Sequence, residues 1–256
     1  MPSDSSQTVE KALEIMDFMA MNGSPMTVRE IASSSGVSTT SAYRILAALN
    51  AKDATRRLPD GKHVLGSRVL RWAATIDHYP TLRMLAAGPM MEIRETCGME
   101  TVGLYVRLNN AEMTCIEVLP GMHSIQHVER RYDAIPIARG ATSLAFLSQS
   151  AGRYGEGTVR QYLLNLAIGH RPTDIDTTMT RIAQVQIQGF AHSSGDRVPG
   201  ATALACPISS GLTTSAVLTV SGPASRFRPE LTGKWGGSLC RGAAQISAAL
   251  SDHTSK

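Results

Sequence analysis

Long apolar runs are missing from these 256 residues. No stretch approaches the ~20 consecutive apolar residues that a membrane-spanning helix requires, so no membrane partner is expected. Cysteine is scarce. Cys97, Cys115, Cys206 and Cys240 stand 18, 91 and 34 positions apart, which leaves no CxxC pair for zinc or redox chemistry. Buried free thiols are the expectation, rather than a disulfide framework. Catalytic signatures are missing as well: the chain has no GxSxG, HExxH, P-loop or GxGxxG element. A nucleophilic Cys206 or Cys97 would need one of the seven histidines within hydrogen-bond reach, and nothing in the spacing provides it. A binding protein is therefore expected rather than an enzyme, with no metal and no cofactor. Residues 1–7 also lack the basic-then-apolar pattern of a secretory signal. With 43% hydrophobic and 18% charged residues, the composition is that of a globular, cytoplasmic chain of one large or two ordinary domains.

What the chain does have is an uneven distribution of charge. The formal net charge is only +4. Residues 1–37 hold two basic groups against five acidic ones, a balance of −3. Residues 38–71 hold seven basic groups (Arg44, Lys52, Arg56, Arg57, Lys62, Arg68, Arg71) against Asp53 and Asp60, a balance of +5. Positive charge gathered in so short a segment suits a polyanion, although a solvated basic face would look the same.

Local signals decide between those readings. Val9, Ala12, Leu13, Met16 and Ala20 recur at the spacing of one buried helix face over residues 8–21. Asn22-Gly23-Ser24-Pro25 stops that helix. Thr27 and Glu30 form a capping box for a short second helix, with Val28, Ile31 and Ala32 inward, ending at Ser35-Gly36. Ser38 or Thr39 then caps a third helix whose Ala42, Ile45, Leu46 and Leu49 share a face. Two short helices around a glycine-containing turn make a helix-turn-helix. Residues 56–65 follow as a hairpin around Asp60-Gly61, which is a wing carrying Arg56, Arg57, Lys62 and His63. The outer face of the third helix shows Ser38, Thr39, Thr40, Ser41, Tyr43 and Arg44. Hydroxyls at a helix start suit phosphates, and an arginine can grip guanine with two hydrogen bonds. Thr27, Arg29, Arg57, Lys62 and His63 complete the candidate DNA-binding set, the wing residues reaching backbone phosphate or the minor groove. Double-stranded DNA is the implied partner.

A further helix is expected over residues 67–77, with Val69, Trp72, Ala73 and Ile76 on one side, and Tyr79-Pro80 breaks the chain there. The expected division is thus a winged helix-turn-helix domain over 1–66, a linker helix over 67–80 and a second domain over 81–256. That second domain opens with a helix over 81–97. Strand-like segments follow at 101–108, 113–119, 125–129, 202–208 and 216–220. Helices are expected at 140–148, 158–166, 177–188 and 236–250, with Trp235-Gly236-Gly237 as a turn before the last. Hairpins with helices between them imply an α+β fold with a mainly antiparallel sheet. The apolar residues Val9, Leu13, Met16, Trp72 and Ile76 suggest self-association.

With its helix Ser38-Thr39-Thr40-Ser41-Ala42-Tyr43-Arg44-Ile45-Leu46 and its Val64-Leu65-Gly66 element, the first part of the chain resembles the IclR-type transcriptional regulators. Gly189-Phe190, Pro199-Gly200, Ala205-Cys206-Pro207-Ile208 and Val220-Ser221-Gly222-Pro223-Ala224-Ser225-Arg226 follow the same family's order through the second domain. The resemblance implies a GAF-like effector-binding domain, a dimer or tetramer, and DNA binding governed by a small organic acid. It also implies an effector pocket among Leu119, Ile125, Ile135, Ala138, Arg139, Gly140, Ala141, Thr142, Ser143, His192, Thr202, Cys206, Thr219 and Ser221.

The residues themselves allow a separate reading of that pocket. Residues 139–143 place a cation, a permissive glycine and hydroxyls at a helix start, whose free amides suit a carboxylate. Thr219 and Ser221 alternate onto one strand face, and His192 can add a donor. Plainer roles stay open: Thr142 or Ser143 as a cap, Cys206 as a core thiol, His192 in an exposed loop. For the function, the alternative is a constitutive DNA-binding protein whose second domain only oligomerises.

Overall fold

The computed structural model describes residues 6–76, 79–166, 172, 174–209 and 216–254. The chain packs as two units divided between residues 78 and 79.

The first unit contains α1 (Gln7–Asn22), α2 (Val28–Ser34), α3 (Thr39–Asn50), β1 (Thr55–Arg57), β2 (His63–Leu65) and α4 (Ser67–Ile76). Gly23 ends α1 in the left-handed conformation, φ +65°, which costs glycine little. The Thr27–Glu30 capping box forms in full and opens α2, and the Ser38 hydroxyl accepts the Ser41 amide to open α3. Ile15, Met19, Ile31, Ala42, Ile45 and Leu46 close one apolar core. The face of α1 differs from expectation. Val9 and Leu13 are more than half exposed, and Ile15 and Met19 are the buried residues. This amphipathic helix carries two overlapping apolar stripes, and only the position of α2 and α3 selects between them. On α4, Trp72 and Ala73 are likewise exposed, while the surroundings of the Ile76 side chain, and Asp77, lie outside the described residues.

The second unit is a six-stranded sheet with helices on both faces. Its elements are α5 (Pro80–Thr96), β3 (Thr101–Arg107), β4 (Glu112–Leu119), β5 (Ile135–Pro136), α6 (Ala141–Tyr154), α7 (Glu156–Asn165), α8 (Ile175–Gln188), β6 (Ala191–Ser194), β7 (Ala201–Ile208), β8 (Ala216–Pro223) and α9 (Pro229–Thr254). The strand order is β5-β4-β3-β8-β7-β6, and every pairing between these strands is antiparallel. Alternation along each strand divides the interior into two cores. Val102, Leu104, Val106, Leu204, Leu218 and Val220 face α5 and α9. Tyr105, Met113, Cys115, Ala205 and Val217 face α6, α7 and α8.

Two local expectations fail in the second unit. Residues 125–129 form no strand. Their carbonyls are taken by side chains instead: Arg226 donates to the Ile125 carbonyl at 2.9 Å and Thr101 to the His127 carbonyl at 2.7 Å. Trp235-Gly236-Gly237 is helix interior, because α9 starts at Pro229. A Cβ on Gly236 would lie 2.5 Å from the Phe190 ring, so close packing places glycine there against its helix propensity. The short strands β5 and β6 were not expected, being too brief for a period-2 signal. Among the described residues no helix is long and apolar enough to cross a membrane, and no group of three or more His, Cys, Asp or Glu could hold a metal ion.

Candidate nucleic-acid interface and ligand cavity

In the first unit α3 stands exposed between α2 and the wing. Thr39, Thr40 and Arg44 are exposed and Tyr43 is 60% exposed. Asn50, at the end of α3, accepts the Arg57 amide at 3.2 Å and so ties the wing to the helix. The β1–β2 hairpin turns at Asp60-Gly61, with Leu58 N–H donating to the Lys62 carbonyl at 2.7 Å. Thr27, Arg29, Tyr43, Asn50, Arg57 and Gly61 line a groove of about 480 Å³ beside α3. Lys62 sits beside the wing tip, 4.0 Å from Asp60.

Three members of the expected DNA-binding set also make local hydrogen bonds. The Thr27 hydroxyl is committed to the capping box, donating to Glu30 at 2.8 Å. Ser38 and Ser41 bond each other at 2.9 Å at the start of α3. His63 departs further from expectation. It lies in β2 rather than at the wing tip, is only 6% exposed, and exchanges backbone hydrogen bonds with Met26 at 2.7 and 3.0 Å. Its Nδ1 is buried without a partner. Burial, and then the Arg57 charge, hold the imidazole below its ordinary range.

The second unit contains a small cavity over the α6 side of the sheet. Gly140, at φ +90°, turns the chain into α6, and the Ala141 amide donates to the Ser193 hydroxyl at 2.8 Å. Seven expected residues line the cavity: Arg139, Gly140, Ala141, Thr142, Thr202, Thr219 and Ser221. The Thr219 hydroxyl donates to the Gly103 carbonyl at 3.2 Å.

The other seven do not line it. Leu119 packs against the core on the α5 and α9 side, and Ile125 is 73% exposed. Ile135 packs at the edge of the α6-side core, and Ala138 lines a neighbouring groove with Arg181. Ser143 is fully buried in α6 with its hydroxyl unpartnered. His192 is exposed on β6, and its inward neighbour Ser193 takes the place expected of it. Cys206 lies on the opposite face of the sheet, its Sγ 3.3 Å from that of Cys240. Strand alternation explains His192, since a one-residue step changes face.

The cavity's ionic centre carries no local signal in the sequence. Glu129, in the irregular stretch before β5, pairs with Arg197 from the β6–β7 loop and accepts a hydrogen bond from His127 Nε2 at 2.7 Å. The Tyr105 hydroxyl joins both charged groups. Burial raises the Glu129 carboxyl pKa, but His127, Arg197 and Tyr105 outweigh that and hold it below its ordinary value. Tyr105 was legible as one alternating position of a strand. Glu129 and Arg197, 68 residues apart, carried no local signal.

Comparison with known proteins places this geometry. The IclR helix-turn-helix domain family matches residues 8–59. No curated protein matches. Among solved structures, the chain is similar to the Thermotoga maritima IclR (23% identity, covering 95% of this chain and 98% of that one, TM-score 0.72). An IclR homolog from Microbacterium hydrocarbonoxydans, complexed with 4-hydroxybenzoate, is 20% identical (95% and 99% covered, TM-score 0.78). An IclR regulator from Alicyclobacillus acidocaldarius is 22% identical (96% and 99% covered, TM-score 0.75). This chain carries the helix-turn-helix domain of the IclR family and, along nearly its whole length, the fold of that family's solved regulators.

Proposed function

We propose that this protein is a cytoplasmic transcription regulator whose binding to a DNA operator is controlled by a small organic acid held in the second domain. The carrying observation is the exposed face of α3, with Thr39, Thr40, Tyr43 and Arg44 standing beside the Arg57 and Lys62 wing. In this reading α3 enters the major groove, while wing and helix-start contacts fix the register. The cavity at the start of α6 supports the second half of the reading. Its helix N-terminus, Arg139 and hydroxyls suit an aromatic or short aliphatic carboxylate. A relative with bound 4-hydroxybenzoate points the same way.

Self-association belongs to the mechanism. Val9 and Leu13 on α1, with Leu70 and Trp72 on α4, expose apolar surface in the first unit, which a second copy would cover. A dimer, or a pair of dimers, would then span two half-sites. An acid that binds one arrangement better shifts the population able to do so.

Selection of bound duplexes from a random library tests the DNA reading. A two-fold symmetric site is expected, and the absence of any enriched sequence would discard it. Thermal-shift screening against carboxylates, 4-hydroxybenzoate included, tests the sensor. A constitutive binder would show no shift, whereas an acid at 100 times its Kd adds about 2.7 kcal/mol of stability.

A further inference from the structure

The cavity, as it stands, has about 40 Å³ of free space. That holds a few water molecules and is far short of the ~300 Å³ or more of ordinary ligand pockets. What fills it is the chain itself. The Glu129 side chain is only 8% exposed, and one of its oxygens receives both Arg197 Nη2 and His127 Nε2. A guanidinium and an imidazole thus meet on one carboxylate, and the Tyr105 phenol lines the same cavity. This is the donor set that recognises a carboxylate from outside. The neutral hydroxyls of Thr219, Ser221 and Ser193 line the space around it.

We infer that Glu129 is a built-in stand-in for the ligand's carboxylate, and that a small monocarboxylate binds by displacing it from Arg197. The inference rests on the reading of this cavity as the effector site. Only the side chain has to move. The Ile125 and His127 carbonyls on the same stretch are held by Arg226 and Thr101 at 2.9 and 2.7 Å, so the backbone that carries Glu129 is anchored. An anion position opens at Arg197 when Glu129 leaves, which selects an acid over its neutral isostere or a cation. Glu129 thereby sets an affinity threshold: an acid must outbid an internal carboxylate of high effective concentration.

Titration calorimetry on the full chain tests this with two isosteric pairs, benzoate with benzamide and acetate with acetamide. Glu129→Gln is expected to bind the better acid roughly tenfold more tightly than wild type, because Arg197 is left without its internal anion. The matching amide should change less than twofold. Arg197→Gln should abolish acid binding in both backgrounds. Should Glu129→Gln fail to fold, Glu129→Asp keeps the charge but shortens its reach, and an intermediate gain is expected. Wild-type acid binding with no gain in the variants overturns the latch alone. An equal gain for the amide also overturns it, since that reports only an enlarged cavity. No acid bound by any variant overturns the latch and the effector reading together.

Discussion

The two units hold their proposed recognition chemistry in opposite ways. In the first, Thr39, Thr40, Tyr43 and Arg44 stand on the outer face of α3, while Ile31, Ala42 and Leu46 beneath them hold the fold. In the second, Tyr105, Glu129, Thr219 and Ser221 are buried among the residues that hold the sheet and α6 together. An exposed recognition surface can change without touching the core, so binding and stability separate there. A buried one cannot: every polar group in it needs a partner, and substitution there moves binding and stability together.

The sharpest way to break that contrast is at Gly103, which packs against two cavity-lining residues, Tyr105 and Thr219. A Cβ there would lie 2.8 Å from the Tyr105 ring and 2.9 Å from the Thr219 hydroxyl. Gly103→Ala is expected to destabilise the protein by about 2–3 kcal/mol in urea unfolding and to remove the acid-induced thermal shift. Loss of only one of these would mean that function and stability separate in the second unit too. Next in size is Arg44→Ala. It should weaken binding to the selected operator by roughly 1–2 kcal/mol while leaving the melting temperature unchanged. A falling melting temperature would show that the α3 surface is structural.

Smaller still is Thr219→Ala, which removes the bond to the Gly103 carbonyl. The expected cost is about 1 kcal/mol of stability, with weaker acid binding alongside. An unchanged unfolding midpoint would place that hydroxyl outside the supporting network. The gentlest probe is pH. The His63 imidazole is lowered by burial and by Arg57, so its contribution is present above the unfolded value of 6.5 and is lost as pH falls below it. Glu129 is raised by burial but lowered more by His127, Arg197 and Tyr105. Its contribution holds above 4.5 and is lost as pH falls through the depressed folded value. On acidification, hydrogen exchange should therefore quicken first in β1–β2 and only later around the cavity. The reverse order would contradict both assignments.

Much of the first unit was legible because its signals are local. The Thr27–Glu30 box, the Ser38 cap and the Asp60-Gly61 turn each act within a few residues, and neighbours in sequence are neighbours in space there. The cavity was half legible. Residues 139–142, with Thr219 and Ser221, announce a helix start and a polar strand face, whereas Glu129, Ser193 and Arg197 do not.

By itself, then, the sequence determined a winged helix-turn-helix, an antiparallel α+β domain after it, and the charge that favours DNA for the first. Tertiary structure alone decided which stripe of α1 is buried, which side of β6 and β7 faces the cavity, and that Gly236 lies inside α9 against Phe190. It also decided that Glu129 meets Arg197. The physical reason is the same in each case. Capping, turns and periodicity are energies between residues a few positions apart, while strand parity, close packing and buried ion pairs are energies between segments that only the folded chain brings together.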